Sequence, residues 1–185
     1  MSPDLDHIQK TYAEADCLFS KAQVEAAIDR VAIEITETLA DTNPLVYTVM
    51  NGGLVFTGKL LIRLGFPLEL SYLHATRYRN TTRGGELDWK VPPVQDMKGR
   101  TVLIIDDILD EGHTLAAIVD FCQAQNAEKV LTAVLVDKLH DRKVRGNMKS
   151  DFTGLNAEDR YLFGYGMDYQ GYWRNAPGIF ALRGT

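Results

Sequence analysis

Apolar residues follow two rhythms along this chain. Val24, Ala27, Ile28, Val31, Ile35 and Leu39 recur at helical spacing behind Ser20-Lys21-Ala22-Gln23, a capping-box pattern, and predict a long helix with one buried stripe. Ser2 and Pro3 read as N-cap and first residue of an earlier helix continuing to about Cys17. Against these stand short unbroken apolar runs. Residues 45–50, 68–74, 102–105 and 130–136 read as strands, the first, third and fourth of them buried. Asn43-Pro44 breaks the chain before the first run, and Gly65 and Pro67 stop a helix carried by Leu54, Val55, Leu60, Leu61 and Leu64. Thr114 opens an amphipathic run through Leu115, Ile118, Val119 and Cys122. Strand, loop and helix in succession form the half-unit of an open α/β fold, in which ligands bind at the carboxyl ends of the strands.

The chemistry concentrates where the rhythm changes. After Val102-Leu103-Ile104-Ile105, Asp106 and Asp107 stand where the strand is expected to end, and Asp110, Glu111 and Gly112 make an acidic turn before the helix. A helix N-terminus presents unpaired N–H groups and suits a phosphate. The carboxylates then suit other work, such as accepting hydrogen bonds from sugar hydroxyls, engaging a divalent cation or moving a proton. Asn51-Gly52-Gly53, between a strand and a helix, allows close backbone approach to an anion, although a plain tight turn also explains paired glycines. Residues 75–93 lose apolar periodicity and carry Arg77, Tyr78, Arg79 and Arg83, a composition that suits a cover for a polyphosphate, or else a solvated arm. Lys138 follows the strand at 130–136, and the polar loop 139–150 holds Arg142, Lys143, Arg145 and Lys149, which read as surface charge or an interface. The segment 161–169 reads as an aromatic-rich strand and turn.

Composition narrows the class. A chain of 185 residues with 45% hydrophobic and 24% charged residues suits one soluble globular domain. A net charge of −5 argues against a nucleic-acid partner held by general electrostatics. No apolar run reaches membrane-spanning length and the first residues do not resemble a signal peptide, so a cytoplasmic location and no membrane partner are expected. Cys17 and Cys122 lack metal-ligand spacing and read as reduced packing residues.

The stretch 102–114 resembles the phosphoribosyl-pyrophosphate (PRPP) signature of type I phosphoribosyltransferases: a hydrophobic strand, two acidic residues, then a short phosphate loop closing on Thr. Tyr161-Leu162-Phe163-Gly164-Tyr165-Gly166-Met167-Asp168-Tyr169 and Tyr172-Trp173-Arg174 resemble the carboxyl-terminal part of the hypoxanthine-guanine members, and likeness extends over about 45–174. The resemblance implies a type I phosphoribosyltransferase fold, α/β with a mainly parallel central sheet flanked by helices. It implies a single domain with its core at about 44–150 and a small hood from the chain ends, 1–43 and 151–185.

It also implies roles. Asp106, Asp107, Asp110, Glu111, Gly112, His113 and Thr114 would bind PRPP, the loop backbone and Thr114 holding the 5′-phosphate. Asp110 would be the catalytic general base near the purine N7. Asn51, Gly52, Gly53 and Arg174 would meet pyrophosphate; Lys138, Tyr161 and Leu162 would meet the purine through its 6-oxo group, its face and its edge. Magnesium would be the cofactor, linked to Asp168, Asp106 and Asp107. Arg77 and Tyr78 stand nearest the Ser-Tyr pair of the family's lid loop, and only Tyr78 carries over. Three residues depart from the pattern. Asn51 replaces a Lys, and Glu111 and His113 replace Thr and Lys, His113 adding a group that titrates near neutrality.

The implied reaction is magnesium-dependent transfer of 5-phosphoribosyl from PRPP to N9 of hypoxanthine or guanine, with no nucleic-acid partner. A preference for xanthine or a pyrimidine is the alternative enzyme; a regulator of the same fold that binds PRPP or nucleotides without turnover is the alternative class. The arm and the polar loop suit a homodimer or homotetramer.

Overall fold

The computed structural model describes residues 4–77 and 87–184. Six strands form the main sheet in the order β4-β3-β2-β5-β6-β7: β2 (Leu45–Val49), β3 (Glu69–Arg77), β4 (Leu87–Val91), β5 (Thr101–Leu109), β6 (Lys129–Leu139) and β7 (Phe152–Glu158). Every pairing in it is parallel except that of the edge strand β4 with β3. Helices α2 (Lys21–Leu39) and α3 (Gly53–Leu61) cover one face and α4 (His113–Ala124) the other.

The unbroken apolar runs explain this layering. Successive strand residues point to opposite faces, so Val46, Leu103, Ile105 and Leu135 pack with Val24, Ile28, Phe56 and Leu60. Leu45, Tyr47, Ile104 and Val134 pack with Leu115, Ile118 and Cys122 on the other side. A strand buried on both faces cannot alternate with polar residues, which is why these runs do not.

A second sheet, β1-β9-β8, is antiparallel and joins the ends of the chain: β1 (Asp16–Ser20), β8 (Leu162–Phe163) and β9 (Gly178–Ala181). The opening helix α1 (Leu5–Glu14) therefore stops earlier than its sequence predicts, and Cys17 lies in a strand opposite Phe180. Tertiary pairing with the far end of the chain overrides local propensity there. Cys122 is buried in the core as expected, whereas Cys17 is exposed, so a packing role holds for one cysteine only.

Three strands also run further than their apolar cores. β3 continues through Arg77 and pairs with β4 inside the stretch that lacks apolar periodicity; Trp89 of β4 packs its ring 5.0 Å from that of Phe121. β5 continues beyond Ile105 through Asp106 and Asp107, because β6 runs beside it and pairs Asp106 with Val134 and Ile108 with Val136. β6 in turn includes Lys138, paired with Ala157.

After β6 the chain makes a short helical turn, α5 (Val144–Asn147), in which Arg145 and Gly146 have left-handed backbone. Three of the four basic residues of this loop are paired with carboxylates: Arg142 with Asp159, Lys143 with Asp137, and Arg145 with Asp120. Among the described residues no helix is long and apolar enough to cross a membrane.

Candidate active site

The carboxyl ends of β2, β3 and β5 open into a cavity of about 510 Å³. Asp106, Asp107, Asp110, Glu111, Gly112, His113 and Thr114 line it from one side, Asn51 and Gly52 from another, and Arg174 closes it. Gly112 has φ 83° and precedes α4, so the left-handed turn aims the first helical N–H groups at the cavity. His113 lies 3.5 Å from the Glu111 carboxylate. Gly52 sits hard against Asp107. A Cβ there would fall 2.1 Å from Asp107 Oδ2, and one at Gly166 would fall 2.1 Å from the Gly52 carbonyl oxygen. Three chain segments thus meet at van der Waals contact around two glycines, the close approach that paired glycines permit.

A second cavity, about 200 Å³, adjoins the first and shares Asp107, Ile108 and Asp110 with it. Lys138, Arg160, Tyr161, Leu162, Met167 and Asp168 complete its walls. Tyr161 is 45% exposed, its ring meets that of Tyr169 edge-on at 5.8 Å, and its hydroxyl donates to the Asp168 carbonyl at 3.1 Å. Arg174 bridges the two spaces: it donates to Asp168 Oδ1 at 2.5 Å and to the Gly166 carbonyl at 2.5 Å.

Charge in the site is arranged unevenly. Burial and then the charge of Asp107 push the Asp106 carboxyl well above its ordinary value; burial also raises Asp107, against the pull of Arg174. Asp106 Oδ1 accepts from the Asp107 N–H at 2.9 Å. Asp110 behaves oppositely. Burial alone would raise it, but Lys138 Nζ at 3.1 Å and His140 Nε2 at 2.7 Å hold it below the usual carboxylate range. Lys138 also lies 3.0 Å from Asp159, whose carboxyl is held well below the ordinary value by Arg142 and Lys138.

The sequence matches the model of the phosphoribosyl transferase domain over residues 15–170. The chain belongs to the phosphoribosyltransferase family. This phosphoribosyltransferase is 32% identical over 167 residues to the hypoxanthine-guanine phosphoribosyltransferase of Bacillus subtilis, covering 90% of this chain and 92% of that one. It is 29% identical over 182 residues to the hypoxanthine-guanine-xanthine phosphoribosyltransferase of Tritrichomonas foetus, covering 98% and 96%. The fold is that of a hypoxanthine phosphoribosyltransferase of Staphylococcus aureus, with a TM-score of 0.86 at 22% identity over 99% of this chain and 97% of that one. The type I phosphoribosyltransferase fold expected from the motifs is therefore the fold the chain has.

Most of the residues singled out by the phosphoribosyltransferase motifs lie on these two cavities. Gly53 is buried behind Gly52 at the start of α3, facing the Ile105 carbonyl instead of the cavity. Asn51 lines the large cavity without a charge, and the Met50–Asn51 peptide is cis. Arg77 ends β3, and Tyr78, the lid residue carried over by resemblance, lies outside the described residues. Several wall residues have no signal in the motifs. His74, Ala75 and Thr76 line the large cavity from β3, a position that the strand-end rule identifies once β3 is known to run past His74. Ile108 and Met167 lie inside the motif stretches without a role of their own there, and Arg160, Asp159 and His140 lie in none; tertiary pairing brings all five to the site.

Proposed function

We propose that this phosphoribosyltransferase moves the 5-phosphoribosyl group of PRPP to N9 of a 6-oxopurine, hypoxanthine or guanine, releasing pyrophosphate in purine salvage. The observation that carries the reading is the meeting of two cavities at Asp110. One has the loop, helix N-terminus and Arg174 suited to phosphates; the other has Lys138, Tyr161 and Leu162 suited to a planar base with a hydrogen-bond acceptor. A carboxylate between the two stands where a nucleophilic ring nitrogen would meet the sugar.

In this reading the N–H groups of the loop from Asp110 to Thr114, with the Thr114 hydroxyl, hold the 5′-phosphate, and Asp106 and Asp107 accept the ribose hydroxyls. Asn51, Gly52 and Arg174 take the pyrophosphate, backbone N–H groups replacing the charge that Asn51 lacks. Tyr161 stacks on the purine, the Leu162 backbone meets its edge and Lys138 donates to the 6-oxo oxygen. Asp110 takes the proton from N7 as N9 attacks. Positive charge on the ribose ring and negative charge on the departing pyrophosphate develop together, so positioning and electrostatics supply most of the acceleration.

Magnesium fits the donor set, since Asp106, Asp107 and Asp168 offer hard carboxylate oxygens and the first two are a buried pair that a cation relieves. When bound it neutralises the leaving group as a Lewis acid. Arg174 and Asp168 neutralise each other in this structure, so substrate must draw Arg174 toward phosphate for both to act. A cytoplasmic location and a homodimer or homotetramer belong to the same reading, the exposed Leu54, Ile62, Leu70, Tyr72 and Val94 supplying apolar surface; sedimentation tests the assembly.

The test is pyrophosphate release from PRPP and magnesium with hypoxanthine, guanine, xanthine, adenine and uracil in parallel. Release with hypoxanthine or guanine and not with adenine supports the reading. Xanthine or uracil as the sole acceptor replaces the base, and PRPP binding without release to any base makes the chain a regulator.

A further inference from the structure

His140 follows β6 in a turn with no motif, yet its side chain is only 4% exposed and its Nε2 lies 2.7 Å from Asp110 Oδ1. The other ring nitrogen is also engaged. The backbone N–H of Arg142 donates to Nδ1 at 3.2 Å. A nitrogen that accepts a hydrogen bond carries no proton, so the Arg142 amide fixes the neutral tautomer with hydrogen on Nε2. The imidazole is thereby a one-way donor to Asp110.

The surroundings fit that role better than cation binding. Asp110, His140 and Asp159 bring ligand atoms within 4.8 Å of one another, but Lys138 Nζ lies 3.1 Å from Asp110 and 3.0 Å from Asp159 and already supplies the positive charge. Charged groups facing Asp110 are Lys138, Arg142, Lys143, Glu111 and Asp159, and Arg142 is itself committed to Asp159 at 2.6 Å. The two oxygens of Asp110 thus have different partners, His140 on Oδ1 and Lys138 on Oδ2.

We propose that His140 is a positioning residue for the general base: its Nε2–H holds Asp110 Oδ1 throughout turnover, so that Oδ2 faces the purine N7–H once Lys138 turns to the 6-oxo group. The N7 proton then passes to Oδ2, the N9 lone pair forms the bond to C1′ of ribose, and the C1′–oxygen bond breaks with its electrons leaving on pyrophosphate. Without the Nε2–H the carboxylate rotates freely or follows Lys138. The inference rests on Asp110 as the base, and deepens that reading by naming what orients it.

Two variants of similar bulk separate positioning from packing. In His140→Gln the amide nitrogen reaches the place of Nε2 and donates; His140→Met fills the space and donates nothing. With hypoxanthine, His140→Met is expected to lower kcat about 10–100-fold, the range of a hydrogen bond to a charged group, with little change in KM for PRPP. The acid limb of its kcat/KM profile moves to higher pH, since Asp110 has lost a donor that favours its ionised form, while His140→Gln keeps most of kcat and the original limb. Equal activity in the two variants, whether both near the parent or both equally low, overturns the proposal. Asp110→Asn, measured beside them, separates the two levels of the argument. If Asp110→Asn is slowed and adding His140→Met lowers its residual turnover no further, His140 acts through Asp110; a further full drop contradicts this. If Asp110→Asn alone turns over normally, the base assignment itself fails.

Discussion

Gly52 and Asp107 touch so closely that a single methyl group on Gly52 would lie 2.1 Å from the Asp107 carboxylate oxygen. The contact ties the loop after β2 to the end of β5, the two walls between which pyrophosphate and ribose are proposed to lie. Asp107 is buried, so an alanine must displace either its carboxylate or the loop. Gly52→Ala is expected to cost about 1–3 kcal/mol in overpacking and to lower turnover roughly a hundredfold through misplacement of the carboxylate or the loop. Thermal unfolding and steady-state kinetics on the same preparation check both effects; parent-like kinetics would show that whichever of the two moves does not hold substrate.

Asp110 is predicted to move a proton and not to bind PRPP. Asp110→Asn keeps its size and loses its basicity, so kcat should fall about 10²–10⁴-fold with a smaller effect on PRPP affinity. Turnover together with equilibrium PRPP binding measures the split. A loss confined to PRPP affinity would reassign Asp110 to the sugar.

Lys138 is buried at the end of β6 and donates to two carboxylates. Lys138→Met removes the donor for the 6-oxo group while retaining the stem. The ratio of kcat/KM for hypoxanthine over adenine should then shrink by the value of an unpaired buried donor, about 1–3 kcal/mol. Competition between the two bases in one reaction reads that ratio directly.

Glu25 provides a pH-dependent tie outside the site. Its carboxylate accepts from Tyr165 at 2.6 Å and pairs with Lys59 and Arg63, joining α2 and α3 to the segment that carries Arg174. The Tyr165 hydrogen bond, with Lys59 and Arg63 and against the opposing effect of burial, lowers its pKa from 4.5 to about 2. A carboxyl depressed in the folded state contributes stability that is present above its unfolded value and lost as pH falls through the folded one. Unfolding midpoints should therefore decline between about pH 4.5 and pH 2 partly through this group. Glu25→Gln is expected to lower the midpoint by roughly 2–4 °C at pH 7 and to have little effect at pH 2. A difference independent of pH would mean that the tie is steric.

How much of the structure is legible in the sequence differs from element to element. The apolar run from Val102 to Ile105 announces a strand buried on both faces, and the acidic residues after it announce a site, because both signals are local. That β5 carries on through Asp106 and Asp107 is not legible: polar residues at a strand end look like loop until the neighbour that pairs with them is known. The strand at Cys17 is hidden for the same reason, its partner lying near Phe180. Gly52 reads as a close-approach glycine, but the group it approaches, Asp107, is set by the sheet order. Arg142, Lys143 and Arg145, which read as surface charge or an interface, are latched to Asp159, Asp137 and Asp120, acids scattered along the sequence. His140 gives no signal at all, since a histidine in a polar turn acquires its role only when β6 brings it to Asp110.

The most direct test of the account is the stoichiometry of one reaction. Protein, PRPP, magnesium and hypoxanthine are combined, and inosine monophosphate and pyrophosphate are quantified together over the first turnovers. The account predicts that both accumulate in equal amounts and that neither forms without the base. Pyrophosphate released without the nucleotide, or bound PRPP with no product of either kind, would contradict transfer to a 6-oxopurine.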